Sequence, residues 1–311
     1  MRLLAGSAVS GILLGLSLSY PALCWLSIVG LFPFLYFWYR DVTTYKQAWW
    51  AGVTLGGVFA GTAYVWLWQL LPMEWAGIDN LFTEFFLVLF IWLLNVVGYG
   101  LIWGGFGLLL HRLSVRGWWD ILLIPTLWVL TEWVSVWAFA IVTYSPDSLF
   151  GPHFTLKLIG HALAAHPWLL QLAGVGGIYL LSFVTVAAGV LFYLVFFKER
   201  LTRFYYAGGA VFAVLVFSTF VPYPLLSPNN DGQKVSVALL HTYFPTTSVV
   251  TSADRERRNF IYTALLTKAG EDRKPDIVVL PEDSRFTHNL LAKGETLEWY
   301  DEMYGDNVLI V

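Results

Sequence analysis

Seven apolar stretches, each long enough to cross a bilayer, fill the chain between Leu3 and Val221. A spanning helix needs about 20 mostly apolar residues. The stretches run Leu3–Tyr20, Ala22–Tyr39, Ala48–Leu71, Leu81–Leu110, Ile121–Val142, Trp168–Phe197 and Phe204–Val221. In lipid the backbone must satisfy its own hydrogen bonds, so such stretches fold as helices. Of the 311 residues only 13% are charged and 58% are hydrophobic, with a mean hydropathy of +0.64. Soluble domains carry roughly a quarter charged residues. Charges are sparse from Met1 to Pro228 and frequent from Asp231 onward. The pattern predicts an α-helical integral membrane bundle followed by a water-soluble region.

Lysine and arginine set the orientation. With the amino terminus in the cytoplasm, the inner segments hold Arg2, Arg40, Lys46, Arg112, Arg116, Lys198, Arg200 and Arg203. The outer loops hold Lys157 as their one basic residue, beside Glu74, Asp79 and Asp147. An odd number of spans then puts everything after Val221 outside, on the periplasmic side in a bacterium. The run after Met1-Arg2 reads as a span that stays, because further spans follow it. A net charge of −3 gives no footing for nucleic acid. A single cysteine, Cys24, excludes an internal disulfide and a cysteine metal site.

Within the spans, Trp49, Trp50, Trp66, Trp68, Trp118 and Trp119 stand near helix ends, as an interfacial aromatic belt does. Glycines cluster at Gly52, Gly56, Gly57 and Gly61, at Gly98, Gly100, Gly104 and Gly105, and at Gly174, Gly176 and Gly177. Small residues let helices approach closely in lipid, so these read as packing positions. Glu84 lies near the outer end of its span and reads as reaching the interface. Glu132 lies mid-span, where an unpartnered carboxylate costs at least about 2.5 kcal/mol; it must be neutral, paired or facing a polar cavity. The loop from Thr143 to Pro167 is the longest between spans and reads as a lid or docking surface. Its three histidines, His153, His161 and His166, have no zinc-ligand spacing, and no metal or cofactor is expected.

Pro222 to Gly232 carries three prolines and an Asn-Asn-Asp-Gly cluster, a boundary signal. The expected division is a transmembrane domain over 1–221, a linker over 222–234 and a soluble domain over 235–311. In the last, Val235–Leu240 reads as a strand, and Thr251 or Ser252 caps a helix running to about Ala269. Phe260, Ile261, Ala264 and Leu265 form its apolar face. A strand buried on both faces follows at Ile277–Leu280, then a helix around Lys293–Tyr304 and a strand at Val308–Val311. The β-α-β-α-β order predicts an α/β domain. Pro281 ends the second strand, which delivers Glu282 to the carboxyl edge, where α/β folds bind ligands. A carboxylate there is suited to general-base work. The bland alternative makes Glu282 a helix cap, in competition with Asp283 and Ser284.

The strand-Pro-Glu pattern resembles the first catalytic motif of the nitrilase superfamily. Joined to a Trp-rich membrane region, it is similar to the apolipoprotein N-acyltransferase family. Ile124-Pro-Thr-Leu-Trp-Val-Leu-Thr-Glu-Trp133 resembles that family's Pro-x-x-Trp-x-x-x-Glu segment. Trp168 to Ser182 is similar to its Gln-x-Ala-x-x-Gly-x-Tyr-x-x-Ser segment. The resemblance implies a partial nitrilase-like αββα sandwich after the bundle. It also implies a multi-pass protein of the bacterial inner membrane, with a phospholipid as acyl donor and the diacylglyceryl-cysteine at a lipoprotein's amino terminus as acceptor. In the implied reaction a cysteine thiolate takes the acyl chain as a thioester, a glutamate is the general base, and a lysine stabilises the tetrahedral intermediates.

Glu282 matches that glutamate. The family's lysine and cysteine lie well beyond it in sequence; Lys293 is too close, and Cys24 falls in a span. The chain therefore reads as the amino-terminal part of such an enzyme, inactive by itself. His241-Thr-Tyr-Phe-Pro245 departs from the family's Gln-x-Asn-Ile-Pro type of run, and His161 stands where a tyrosine is common. Two other readings use the same residues: a different membrane-tethered nitrilase-type amidase or acyltransferase, and a non-enzymatic scaffold or transporter.

Overall fold

The computed structural model describes residues 1–73, 76–145, 151, 155–197, 235–240, 252–272, 275–280 and 309–310. The chain divides into two compact units. The first is Met1–Leu71 with Phe85–Leu226, and the second is Pro72–Glu84 with Ser227–Val311.

The first unit is helical. α1 (Arg2–Ser19) presents a buried stripe of small residues, among them Gly6, Ser10, Gly11 and Gly15, at helical spacing. The stripe admits α4 (Tyr45–Ala63): a Cβ on Gly11 would lie 2.9 Å from the Leu55 carbonyl oxygen. The serines of α1 return their hydroxyls to its own backbone, Ser7 to the Leu3 carbonyl at 3.0 Å and Ser17 to Leu14 at 2.6 Å. α4 starts at a capping box, with the Thr44 hydroxyl and the Gln47 side chain satisfying each other's backbone N–H groups. It runs on as a 3₁₀ turn, Val65–Leu70.

The second apolar stretch does not form one long helix. It is a 3₁₀ turn at Pro21–Leu23, then α2 (Leu26–Val29) and α3 (Phe32–Asp41). Pro33 has no N–H to return to the preceding turn, which is where the helix is interrupted. The Phe34 N–H, at the start of α3, is satisfied by Ser10 Oγ at 2.8 Å. Five helices among the described residues are long and apolar enough to cross a membrane. The seventh stretch, Phe204–Val221, lies outside the described residues.

α5 (Leu81–Leu113) meets α4 through glycines. A Cβ on Gly52 would collide with the Trp103 carbonyl, and one on Gly107 with the Ala48 carbonyl. Gly104 lies against the Trp49 ring in the same way. α6 (Asp120–Val142) carries Pro125 in its second turn. Trp38, Trp103 and Trp128 are fully buried with Phe34, Phe59 and Phe106. The Trp103 and Trp128 rings meet edge to face at 4.2 Å. Trp50, Trp66, Trp118 and Trp119 are exposed near helix ends, as expected of an aromatic belt.

A 3₁₀ helix at Ile159–Ala165 and α7 (Pro167–Leu170) lead into α8 (Ala173–Phe197). α8 is broken near its start. Gly177 has φ +63° and Gly176 has φ −135°, both outside helical geometry. These two glycines, expected as packing positions, serve a change of chain direction, which at Gly177 needs a residue without Cβ.

In the second unit, β1 (Val237–Leu239), β2 (Ile277–Val279) and β3 (Leu309–Ile310) form a parallel sheet in the order β1-β2-β3. Val237 pairs with Ile277 and Ile277 with Leu309. α9 (Ser252–Asp272) separates β1 from β2 in sequence. Two expectations fail here. Among the described residues β2 is fully buried only at Val278, with Ile277 and Val279 half-buried. The buried face of α9 is Tyr262 and Leu266, whereas Phe260 is 75% exposed and Ala264 is also exposed. The buried stripe runs instead through Tyr262 and Leu266, four residues apart on one helix face. The linker and the helix expected around Lys293–Tyr304 lie outside the described residues.

Candidate functional site

β1 and β2 end at the same edge of the sheet, where the Leu240 N–H donates to the Val279 carbonyl at 3.0 Å. Glu282 follows β2 by three residues and lies outside the described residues. At the opposite edge Asp276 is structural: its Oδ2 accepts from the Ser236 N–H at 2.7 Å and its own N–H donates to the Ser236 carbonyl at 2.8 Å.

A buried polar cluster among the described residues lies in the helical unit. Trp128 and Glu132 are four residues apart on α6 and share a face. Trp128 Nε1 donates to Glu132 Oε1 at 3.0 Å. The same oxygen accepts the Ile159 N–H at 2.7 Å. One residue on, the Gly160 N–H donates to Ser182 Oγ of α8 at 3.0 Å. Glu132, Ser182 and Ile159 are buried, and Glu132 Oε2 has no hydrogen-bond partner among the described residues. The two segments singled out in the sequence thus meet at consecutive N–H groups of one loop. Gly160 is required there, since a Cβ would lie 2.7 Å from both the Ile178 carbonyl oxygen and the Ser182 nitrogen. Glu132 is hydrogen-bonded through one oxygen, which offsets part of the cost of its depth within the bundle.

Lys157, counted in the sequence as the one basic residue of the outer loops, belongs to the same loop. Its Nζ is buried, with no hydrogen-bond partner among the described residues, 3.0 Å from the centroid of the Tyr99 ring and 3.9 Å from that of Tyr64. Two ring faces recover part of the lost hydration of the ammonium. Burial still holds its pKa well below the ordinary 10.5. Its backbone is left-handed, φ +52°, a conformation strained for a side chain with a Cβ. Leu158, Ile159, Ala162 and Leu163 are buried, so this part of the loop is docked into the bundle rather than free as a lid. His161 Nδ1 lies 3.0 Å from the Leu158 carbonyl. His166 Nε2 lies 3.2 Å from Cys24 Sγ, which ties the loop's far end to the turn after α1. Cys24 is therefore at a turn between helices, not within a span. His153 lies outside the described residues.

Two features escaped sequence reasoning. Lys157 between two tyrosines joins three distant positions, and nothing local marks it. Asp120 is fully buried; its Oδ2 accepts from Tyr39 Oη at 2.5 Å and Ser114 Oγ at 2.8 Å. Arg116 closes this corner by donating to the Tyr39 and Val42 carbonyls. An acid opening an apolar stretch was the available signal. Glu84, expected to reach the interface, is 2% exposed, with one carboxylate oxygen lacking a hydrogen-bond partner among the described residues.

No curated protein matches the chain. Over residues 10–191, more than half of its length, the sequence matches the family described as the apolipoprotein N-acyltransferase N-terminal domain, and the chain belongs to that family.

Proposed function

We propose that these 311 residues are the membrane domain and the start of the catalytic domain of an enzyme that moves an acyl chain from a phospholipid to a lipoprotein's amino-terminal diacylglyceryl-cysteine. The observation that carries the reading is the family match over residues 10–191. The joining of that family's two resembling segments at one buried loop, through Glu132 and Ser182, supports it. In this reading residues 1–221 form the membrane domain, 222–234 the linker and 235–311 the opening of a nitrilase-like domain. The protein sits in a bacterial inner membrane with the soluble domain on the outer side.

Glu282 is the general base. It takes the proton from a thiol, the thiolate attacks the phospholipid ester carbonyl, and the lysophospholipid alkoxide leaves with a proton. The acceptor's α-amine then attacks the resulting thioester and releases the thiol. Within these 311 residues the scheme assigns neither the thiol nor the lysine that steadies both oxyanions. Splitting the transfer in this way replaces one difficult step with two easier ones.

The test compares the purified 311-residue chain with the same protein extended along its reading frame, using a phospholipid and a diacylglyceryl peptide. The chain alone is expected to give no turnover above its Glu282→Gln variant, and the extended protein to transfer the acyl group. Turnover by the chain alone would show a nucleophile outside this scheme. An extended protein that transfers nothing would remove the acyltransferase reading.

A further inference from the structure

A cleft of about 390 Å³ opens among the first turn of α1, the last residue of α3 and the first turn of α4. That volume falls in the range of small-molecule sites, roughly 300–1,000 Å³. Arg2 and Lys46 stand on its rim with exposed side chains. Gln47 adds a third donor. Its side-chain oxygen is spent on the Thr43 N–H at 2.9 Å, the Thr43 hydroxyl at 3.1 Å and the Thr44 N–H at 3.2 Å, which leaves its NH₂ group. The remainder of the lining is largely apolar, with Leu4 and Trp50 both exposed beside it. Asp41 is the one carboxylate in the wall.

Three donors, two of them cationic, suit a phosphate diester. An apolar floor next to them suits the glycerol end of acyl chains rather than a free anion. The position agrees: these helix ends belong to the Arg- and Lys-rich side of the bundle, where spans leave the hydrocarbon, and Trp50 is placed as interfacial tryptophans are. Basic pockets between spanning helices on that side hold lipid headgroups. Asp41 narrows the class. It repels a bare anion and accepts from a headgroup that carries a hydroxyl or an amine.

We infer that this cleft binds a glycerophospholipid with a donor-bearing headgroup, from the leaflet on the basic side of the bundle. The phosphate lies among Arg2, Lys46 and Gln47, and the headgroup donor meets Asp41. This site stands apart from the acyl-transfer reading: the chain path puts it at the opposite end of the helices from the Lys157 loop, and it needs no catalysis.

The experiment is native mass spectrometry of the detergent-purified 311-residue chain, titrated with phosphatidylglycerol, phosphatidylethanolamine, phosphatidylcholine and diacylglycerol. Neutralising a surface cation weakens anionic-lipid binding roughly five-fold, so Arg2→Gln with Lys46→Gln together should cost roughly 25-fold for phosphatidylglycerol. Diacylglycerol, which lacks the phosphate, should not respond to these changes. Phosphatidylethanolamine and phosphatidylcholine carry the same net charge and differ in the headgroup N–H donor, so in the same titration the first should bind more tightly, and Asp41→Asn should narrow that gap. The substituted side chains are at the surface, and an unchanged melting temperature in each single variant confirms the fold. Retention of phosphatidylglycerol by the double variant at the wild-type level overturns the site. Displacement of the lipid by inorganic phosphate at equal concentration overturns its assignment to a lipid.

Discussion

Glu132→Ala and Glu132→Gln separate the residue's work as an acceptor from its charge. One carboxylate oxygen serves two buried donors, the Ile159 N–H at 2.7 Å and Trp128 Nε1 at 3.0 Å. Alanine strands both. A stranded buried donor costs about 1–3 kcal/mol in soluble proteins. Side-chain hydrogen bonds inside membranes average about 0.6 and reach about 1.7 kcal/mol, because the membrane-inserted unfolded chain finds other partners. The membrane figure is the better guide here, and for two bonds it gives about 1–3 kcal/mol. Glutamine keeps a carbonyl oxygen in place for the same donors and should cost under about 1 kcal/mol. The loss is local, since Ile159 and Gly160 stand on one docked loop. Amide hydrogen exchange over 158–163 in detergent should therefore quicken about 5- to 150-fold in Glu132→Ala. In Glu132→Gln it should stay within about five-fold of wild type. Equal damage from both variants would show that the charge, not the acceptor, holds the loop. Unchanged exchange in Glu132→Ala would show that the loop does not depend on this residue.

Other outcomes are equally specific. Gly52→Ala should lower stability by about 1–3 kcal/mol, because the added methyl meets the Trp103 backbone, while Gly105→Ala, with nothing within 4 Å, should be neutral or slightly stabilising; equal melting temperatures would refute the α4–α5 contact. Burial depresses the Lys157 pKa, so from that lowered value up to 10.5 the unfolded chain holds a proton that the folded protein does not, and stability rises with pH across this window. Lys157→Met should abolish that rise, and parallel pH profiles for the two proteins would contradict the buried ammonium. Reporter fusions after Arg116 and after Asp231 should report opposite sides of the membrane, as the Lys/Arg asymmetry requires; the same side for both would refute the orientation.

The long helices were legible because length and hydropathy determine them. α1, α5 and α6 begin and end within three residues of the stretches expected. The break between α2 and α3 was not legible by the same measure, since averaging over a window passes over Pro33. In the site, the Trp128–Glu132 spacing was readable as one helix face, and the depth of Glu132 demanded a partner. The partner is a backbone N–H, which carries no sequence signature. The burial of Lys157 carried no sequence signal for a related reason. Hydropathy treats a loop lysine as solvated, whereas here the main chain turns left-handed and sends the ammonium between two rings supplied by α5 and the end of α4. The strands were visible as short β-branched runs, but which helix stripe is buried depends on the partner surface, and Tyr262 shows that a tyrosine can take the core side.

Under the proposed function, Glu282 drives covalent acyl transfer. The direct measurement is mass spectrometry of the extended protein incubated with a phospholipid and no acceptor. An acyl adduct that hydroxylamine removes should accumulate within the burst phase, and Glu282→Gln should slow its formation by about 10²–10⁴-fold, the usual contribution of a general base. A protein that transfers acyl chains without ever carrying one, or a Glu282→Gln variant that acylates at the wild-type rate, would contradict the account.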